Sequence, residues 1–389
     1  MSNPARRRIC FVSPFAYPLL VPGSSGAGGA ERQFFLFARG LQQRGWEVSF
    51  ITGLPSKELS SAEPLFPVYP VNLSYLGGHK TQLPAAWLAL WRAMQRADAN
   101  YYVLKVPAHL LSLMAVFCKT YKRRLASWGQ TTYRKEKHRR HIPRSAQCLE
   151  SFGLRAADIL IAQTEDQASG LRDVTGRRVH VIPNIAESVE ASGEARSSND
   201  GTNVLCDVLW VGNTTVNKRP GVVMEMARLL PQVSFAMAMN KSSPEEFAKW
   251  EEAAATITNL RFLGQLPPGQ TEGWFSRTCL FLNTSDREGF PNTFLQAWMN
   301  GVPVVSLGID PDCIIKTHEL GRLPDPLDVE LAGEDALKLA LCLAPVVRSL
   351  LSDVPLRRHI GANARQYVLS RHAPDNTVPA LESVLLSCP

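Results

Sequence analysis

Short apolar runs alternate with amphipathic stretches along nearly the whole chain. Arg8 to Ser13 reads as a buried strand. A Gly-rich loop from Pro14 to Gly29 follows, and from about Ala30 the apolar positions Phe34, Phe37, Ala38 and Leu41 recur at helical spacing. Gly45 ends that helix and Val48 to Thr52 is the next strand. Strand, helix, strand in this order predicts a βαβ unit and therefore a parallel sheet. Further strands are expected at Val68 to Val71, Tyr101 to Lys105, Arg124 to Trp128, Asp158 to Ala162 and Val179 to Ile182. From Glu187 to Asn203 the pattern stops: Ser, Gly, Ala and charge leave almost nothing to bury, which marks a linker. A second alternation follows. Its strands are Asp207 to Val211, Val233 to Met237, Asn259 to Leu263, Cys279 to Leu282 and Val302 to Leu307. A helix from Pro220 carries Val222, Val223, Met226, Leu229 and Leu230, and a last helix runs from about Asn376 to Leu386. A chain of 389 residues suits two such α/β domains. The expected division is 1–188, a linker 189–203, 204–370, and a C-terminal segment 371–389.

Three stretches carry candidate chemistry. Arg287 to Val305, REGFPNTFLQAWMNGVPVV, is an acidic loop entering a helix and then a strand. Asn292 or Thr293 can cap the helix, Gly301 can end it in a left-handed conformation, and Pro303 stops its continuation. The amides of Thr293, Phe294 and Leu295 would then be free at the positive end of the helix dipole, where a phosphate binds well. Glu288 precedes this end and Gln296 lies one turn inside it. In the second stretch, Gly212 to Arg219, Lys218 and Arg219 fall between a strand's C-terminal end and a helix start, the edge where open α/β sheets bind ligands. The third, GSSGAGGAER, has neither the GxGxxG spacing nor the Gly-Lys-Ser/Thr of a P-loop, but its glycines let backbone approach a ligand closely.

At these residues the chain resembles the family-four glycosyltransferases, retaining sugar-nucleotide enzymes of the GT-B fold. Their signature, E-G-F-(P/G)-x-x-x-x-E-A followed by G-x-P-V-V, is matched by Glu288, Gly289, Phe290, Pro291, Ala297, Gly301, Pro303, Val304 and Val305, with Gln296 where the second acid stands. The resemblance implies two Rossmann-like parallel-sheet domains facing each other across a cleft, with the last helix crossing back to the N-terminal, acceptor-side domain. By the same resemblance Glu288, with Gly289, Phe290, Pro291 and Asn292, faces the donor sugar, and Gln296 holds the ribose hydroxyls. A glutamine there still donates and accepts but carries no charge. Gly28 and Gly29 match the family's G-G-(A/x)-E element and approach the donor diphosphate. Gly212, Lys218, Arg219, Thr293 and Phe294 bind that diphosphate, Asn213 replacing the family's Arg, and Gly264 and Gln265 in RFLGQL face the base. The resemblance makes Glu288 and Lys218 the catalytic pair. The family's acceptor-side His has no match in SWGQTTY; Gln130 or Thr131 stands in its place, with His109 the nearest alternative.

Composition narrows the partners. The formal charge is +7, and from Lys119 to Arg144 there are ten Lys or Arg residues against one acid, Glu136. An anionic membrane surface or a phosphate-bearing acceptor fits that stretch, as does a merely solvated basic face; there is no nucleic-acid motif. The 8 cysteines show no CxxC or paired spacing and read as reduced thiols of a cytosolic chain. The basic, apolar and small-residue order at the start imitates a secretory signal, but Pro14 and Pro18 interrupt it, and no stretch is a membrane span. Asp310-Pro-Asp312 imitates a metal-binding DxD and reads as a helix-capping turn. The expectation is a cytoplasmic glycosyltransferase of cell-envelope or exopolysaccharide assembly, peripheral at the inner membrane face. It would use a nucleotide-diphosphate sugar, a glycan or lipid-linked acceptor, and no metal or other cofactor. A non-catalytic partner subunit and a sugar-nucleotide epimerase on the same fold are the alternatives.

Overall fold

The computed structural model describes residues 7–21, 28–53, 63–72, 83–105, 108–129, 144–187, 204–241, 243–267, 270–325 and 335–387. The chain forms two units, Met1–Ile185 with Pro374–Pro389, and Ala186–Ala373. The expected linker, 189–203, lies outside the described residues.

In the first unit β1 (Arg8–Val12), α1 (Tyr17–Leu20), α2 (Gly29–Gln43), β2 (Glu47–Gly53), β3 (Val68–Val71), α3 (Leu83–Ala97), β4 (Tyr101–Leu104), α4 (Ala108–Thr120), β5 (Arg124–Trp128), α5 (Arg144–Ala156), β6 (Ile159–Ala162), α6 (Glu165–Thr175) and β7 (His180–Val181) follow in order. The strands make one parallel sheet, β3-β2-β1-β4-β5-β6-β7. Strand order therefore reverses between β1 and β4. Phe34, Phe37, Ala38 and Leu41 of α2 are buried on one side of the sheet with Phe11, Phe50 and Trp128; Leu90, Met94, Leu110 and Met114 cover the other. Gly45 ends α2 with φ +84°, a conformation that favours glycine.

The second unit runs β8 (Cys206–Asn213), α7 (Pro220–Leu229), β9 (Phe235–Asn240), α8 (Pro244–Ala255), β10 (Leu260–Gly264), α9 (Gln270–Phe275), β11 (Thr278–Asn283), α10 (Asn292–Met299), β12 (Val304–Ser306), α11 (Ile314–Thr317), β13 (Gly321–Arg322), α12 (Ala336–Ser352) and α13 (Val354–Arg371). Its parallel sheet is ordered β10-β9-β8-β11-β12-β13, with the reversal between β8 and β11. Several strands differ from the sequence expectation, some for local reasons. β8 extends through Asn213 because Gly212 and Asn213 still pair with Met239 and Asn240. β12 is shorter than Val302 to Leu307, since the Val302 amide donates to Ala297 O at the helix end. β13 is two residues with no apolar run to announce it. Gly301 adopts φ +67°, and Gly361 of α13 packs so close that a Cβ there would lie 2.1 Å from the Gly301 carbonyl oxygen. Asp310 caps as read, its Oδ1 accepting from the Ile315 amide at 2.7 Å.

The last helix, α14 (Pro374–Leu386), belongs to the first unit, where Val378, Leu381 and Leu385 are buried with the α2 core. Its Glu382 carboxylate accepts from Arg7 Nη1 (3.0 Å), Arg44 Nε (2.7 Å) and the Trp46 indole (2.9 Å). Burial acts to raise its pKa, and the Trp46 hydrogen bond with the Arg44 and Arg7 charges outweighs it, leaving the carboxyl below the usual range. Because the native pKa lies below the unfolded one, this stabilisation is present above the unfolded value and fades as pH falls through the native one. Glu382→Ala is therefore expected to cost about 2 kcal/mol near neutrality and much less at pH 3. Thermal melts at both pH values check this; equal losses would contradict it.

Among the described residues no single helix is long and apolar enough to cross a membrane; α12 joined to α13 and α14 passes by length and composition only, and that pair is bent by 98°. The seven described cysteines are free thiols. Burial pushes Cys10 up to about 12, against weaker opposing hydrogen bonds from Ser49 and Ile51.

Candidate functional site

The second sheet reverses its strand order between β8 and β11, and the loops leaving those two strands are bonded to each other. β8 ends in Gly212 and Asn213. A Cβ at Gly212 would lie 2.4 Å from the Trp210 ring, so the strand end needs glycine while Trp210 lies beneath it. Asn213 turns its Oδ1 to the Thr215 amide (3.1 Å) and so closes its own loop. A 3-10 turn, Val216–Lys218, follows, and Arg219 takes φ +49° before Pro220 opens α7. Across the reversal, Thr284 Oγ1 donates to the Lys218 carbonyl (2.6 Å) and accepts from the Trp210 indole (3.0 Å). The Asp286 amide donates to Asn217 O (3.0 Å).

This bracing delivers the Lys218 ammonium onto the Glu288 carboxylate, an ion pair in which both side chains are mostly buried. Ser285 Oγ donates to the same Glu288 oxygen at 2.9 Å. Arg219 pairs with Asp286 at 3.6 Å; burial is the main effect lowering its pKa, with the Asp286 charge opposing. The two residues expected to carry catalysis, 70 apart in sequence, thus touch. Gly289 and Phe290 follow, the Phe290 ring centred 5.1 Å from the His372 ring and tilted 42° to it.

The helix start differs from the expectation. Neither Asn292 nor Thr293 caps α10: the N-cap is Pro291, with no side-chain cap, and the Phe294 amide donates to Pro291 O at 3.1 Å. Pro291 is already extended, so the helix starts one residue earlier, at Asn292, and Phe294 and Leu295 lie within it. Gln296 is where it was expected, one turn in, and its Nε2 donates to Glu272 Oε1 of α9 at 2.9 Å. A carboxylate therefore stands beside the position at which the family's acid is missing. Gly264 has φ +65° at the end of β10, and Gln265 Oε1 accepts from the Lys241 amide at 3.4 Å.

In the first unit Gly28 is the N-cap of α2 and Gly29 its first residue. Glu31 lies in the first turn of α2, and Lys105 follows β4, the strand beside β1. Gln130, Thr131 and the basic residues 130–143 lie outside the described residues, as does the His109 side chain on α4. Sequence reasoning missed Thr284, Ser285, Glu272 and Lys105. The first three have no motif, since their roles exist only through long-range pairing. Lys105 had a signal: a charged residue closing the apolar run Tyr101 to Leu104. Among the described residues no three His, Cys, Asp or Glu side chains converge on a metal site.

The chain is similar to known proteins over most of its length. Residues 27–187 match the family described as Glycosyltransferase Family 4, and residues 206–340 match Glycosyl transferases group 1. Sucrose-phosphate synthase from Thermosynechococcus elongatus superposes with a TM-score of 0.72 at 16% identity, covering 98% of both chains. TarM from S. aureus, solved with UDP, gives 0.70 at 10% identity, covering 98% of this chain and all of that one. An exopolysaccharide phosphotransferase of Streptomyces coelicolor is 25% identical over 218 residues, 54% of this chain; the match spans only 21% of that protein's length. With two parallel-sheet Rossmann-like domains and these matches, the chain belongs to the family-four, group 1 glycosyltransferases of the GT-B fold.

Proposed function

We propose that the protein transfers a sugar, with retention of anomeric configuration, from a nucleotide-diphosphate sugar to a glycan or lipid-linked acceptor. The observation that carries this is the Lys218–Glu288 pair, held at the strand-order reversal of the second sheet. Departure of the nucleoside diphosphate builds negative charge on phosphate and positive charge on the sugar, so catalysis needs fixed opposite charges at the two ends. Lys218, with Arg219 and the start of α10 at Thr293, supplies the first, and Glu288 the second. Gly212 lets the diphosphate approach the backbone. Gly264 and Gln265 face the base. Gln296 and Glu272 together face the ribose, the carboxylate that position 296 lacks coming from α9. These cations and dipoles perform the charge stabilisation without a metal.

The exopolysaccharide protein among the relatives supports a polymeric or lipid-linked acceptor in envelope or exopolysaccharide assembly. The excess of Lys and Arg from 119 to 144 supports work at an anionic membrane face.

The test is a thermal-shift panel with UDP, GDP, ADP, CMP and phosphate on the wild type and Lys218→Ala. Saturation at about 100 times Kd adds roughly 2.7 kcal/mol, several degrees in Tm. One nucleoside diphosphate is expected to stabilise the wild type and to lose most of that effect in Lys218→Ala; its 2′-deoxy form, if the Gln296–Glu272 pair faces the ribose, stabilises less. No shift with any nucleotide would remove the donor-site reading.

A further inference from the structure

Lys105 follows β4 at the C-terminal edge of the first sheet, where strand order reverses beside β1. It is only 9% exposed. Its ammonium lies 5.9 Å from the ring centroid of Phe34 and 5.9 Å from that of Trp128, and among the described residues it has no hydrogen bond and no ion pair. Lysine carries three donors, and none of them is taken up by a described residue. The Trp128 indole N–H beside it is buried without a partner.

Glu31 is the charged group that bears on Lys105, yet the two are not in contact. Its carboxylate folds back over the start of α2, where a Cβ on Gly28 would lie 2.5 Å from Oε2. Among the described residues, the edge thus presents a cation with no hydrogen bond, packed over two buried aromatic rings, and a separated carboxylate. A phosphate would bond the ammonium but meet the Glu31 charge, and an apolar group would leave the ammonium unbonded. A hydroxyl satisfies both, accepting from Lys105 and donating to Glu31.

We propose that Lys105 and Glu31 hold a hydroxyl group of the carbohydrate acceptor between them, so that Lys105 is an acceptor-positioning residue of the first domain. The proposal rests on the glycosyl-transfer reading for the identity of its ligand. Burial, opposed by Glu31, lowers the Lys105 pKa to about 7. Its charge, and with it the charge-assisted part of its hold on a hydroxyl, is therefore lost as pH rises through neutrality.

Binding of methyl α-glucopyranoside, methyl α-mannopyranoside and methyl β-galactopyranoside to the full chain, followed by saturation-transfer NMR titration at pH 6 and 8.5, tests this, with inorganic phosphate and UDP titrated in parallel. The wild type is expected to bind at least one glycoside, about tenfold more weakly at pH 8.5, in line with loss of charge on a group of pKa near 7. Lys105→Met and Glu31→Gln should each weaken it about tenfold at pH 6, the loss of one charge-assisted hydrogen bond. Lys105→Arg keeps its charge and should bind with little pH dependence. UDP binding should be the same in all four proteins, which also reports that each is folded. Failure of the wild type to bind any glycoside, pH-independent binding, or equal binding by Lys105→Met overturns the proposal. So does phosphate binding that Lys105→Met abolishes, which would make the edge an anion site. UDP binding without glycoside binding sinks this proposal alone; glycoside binding without any nucleotide response sinks the donor reading instead.

Discussion

Glu288→Gln is expected to lower turnover by about 10²- to 10³-fold, the usual cost of removing one group that stabilises transition-state charge, while nucleoside diphosphate affinity stays equal or improves. The split follows from the ion pair. With no donor bound, the Lys218 ammonium is held by Glu288, so a diphosphate must compete with that carboxylate for it. Glutamine removes the competitor and leaves the cation available. It also removes the negative charge set against the developing positive sugar, so binding and chemistry respond in opposite directions. Lys218→Ala should behave differently, losing affinity and turnover together, because it deletes the phosphate's partner and leaves the Glu288 charge unpaired beside the phosphate. Measured kcat and nucleotide Kd for both variants decide the matter. Wild-type turnover in Glu288→Gln would rule the residue out of the chemistry, and a product that is an altered donor formed without acceptor would point to epimerisation.

Much of the second domain's site could be read in the sequence because its parts are local. Glu288, Phe290, Gly301 and the Val304–Val305 strand lie within one loop, helix and strand, and the period of the apolar residues fixes where each falls. The Lys218 loop was legible for the same reason: Pro220 and the apolar face behind it announce a helix, so the preceding basic pair must sit at a strand's C-terminal edge. Pairing between such segments was not legible. Nothing near Thr284 says that its hydroxyl bonds the Lys218 carbonyl, and nothing near Glu272 says that it receives the Gln296 amide. The cap of α10 failed for a different reason. Asn and Thr are good caps by type, but Pro291 had already taken the extended conformation an N-cap needs, which places Asn292 and Thr293 inside the first turn. Lys105 is the instructive omission, since its meaning depends on what surrounds it. A lysine after an apolar strand is ordinarily exposed; only the packing of Phe34 and Trp128 against it makes it unusual.

That unusual burial predicts a protein that gains stability as it loses its acceptor contact. Lys105→Met keeps the side chain's length and apolar packing and deletes an ammonium that has no hydrogen-bond partner among the described residues. A lysine whose pKa falls from 10.5 to about 7 on folding destabilises the native state by roughly 3–5 kcal/mol while it is charged in both states. The sign with pH follows from proton counting. Between about pH 7 and 10.5 the unfolded chain holds a proton on this residue that the native state has released, so wild-type stability from this group rises with pH across that window. Below pH 7 both states are charged and the full penalty applies. Methionine does not titrate. Its advantage over the wild type should therefore be greatest at pH 6, where urea denaturation would show a gain of a few kcal/mol, and should shrink steadily towards pH 10. Lys105→Arg, which carries its charge at every pH in that range, should stay at or below wild-type stability throughout. A Lys105→Met protein no more stable than the wild type at pH 6 would mean that the ammonium is already satisfied in the folded chain, and the case for a ligand hydroxyl at this edge would fall with it. A gain in stability accompanied by weaker glycoside binding is the trade expected of a residue kept for function at the expense of the fold.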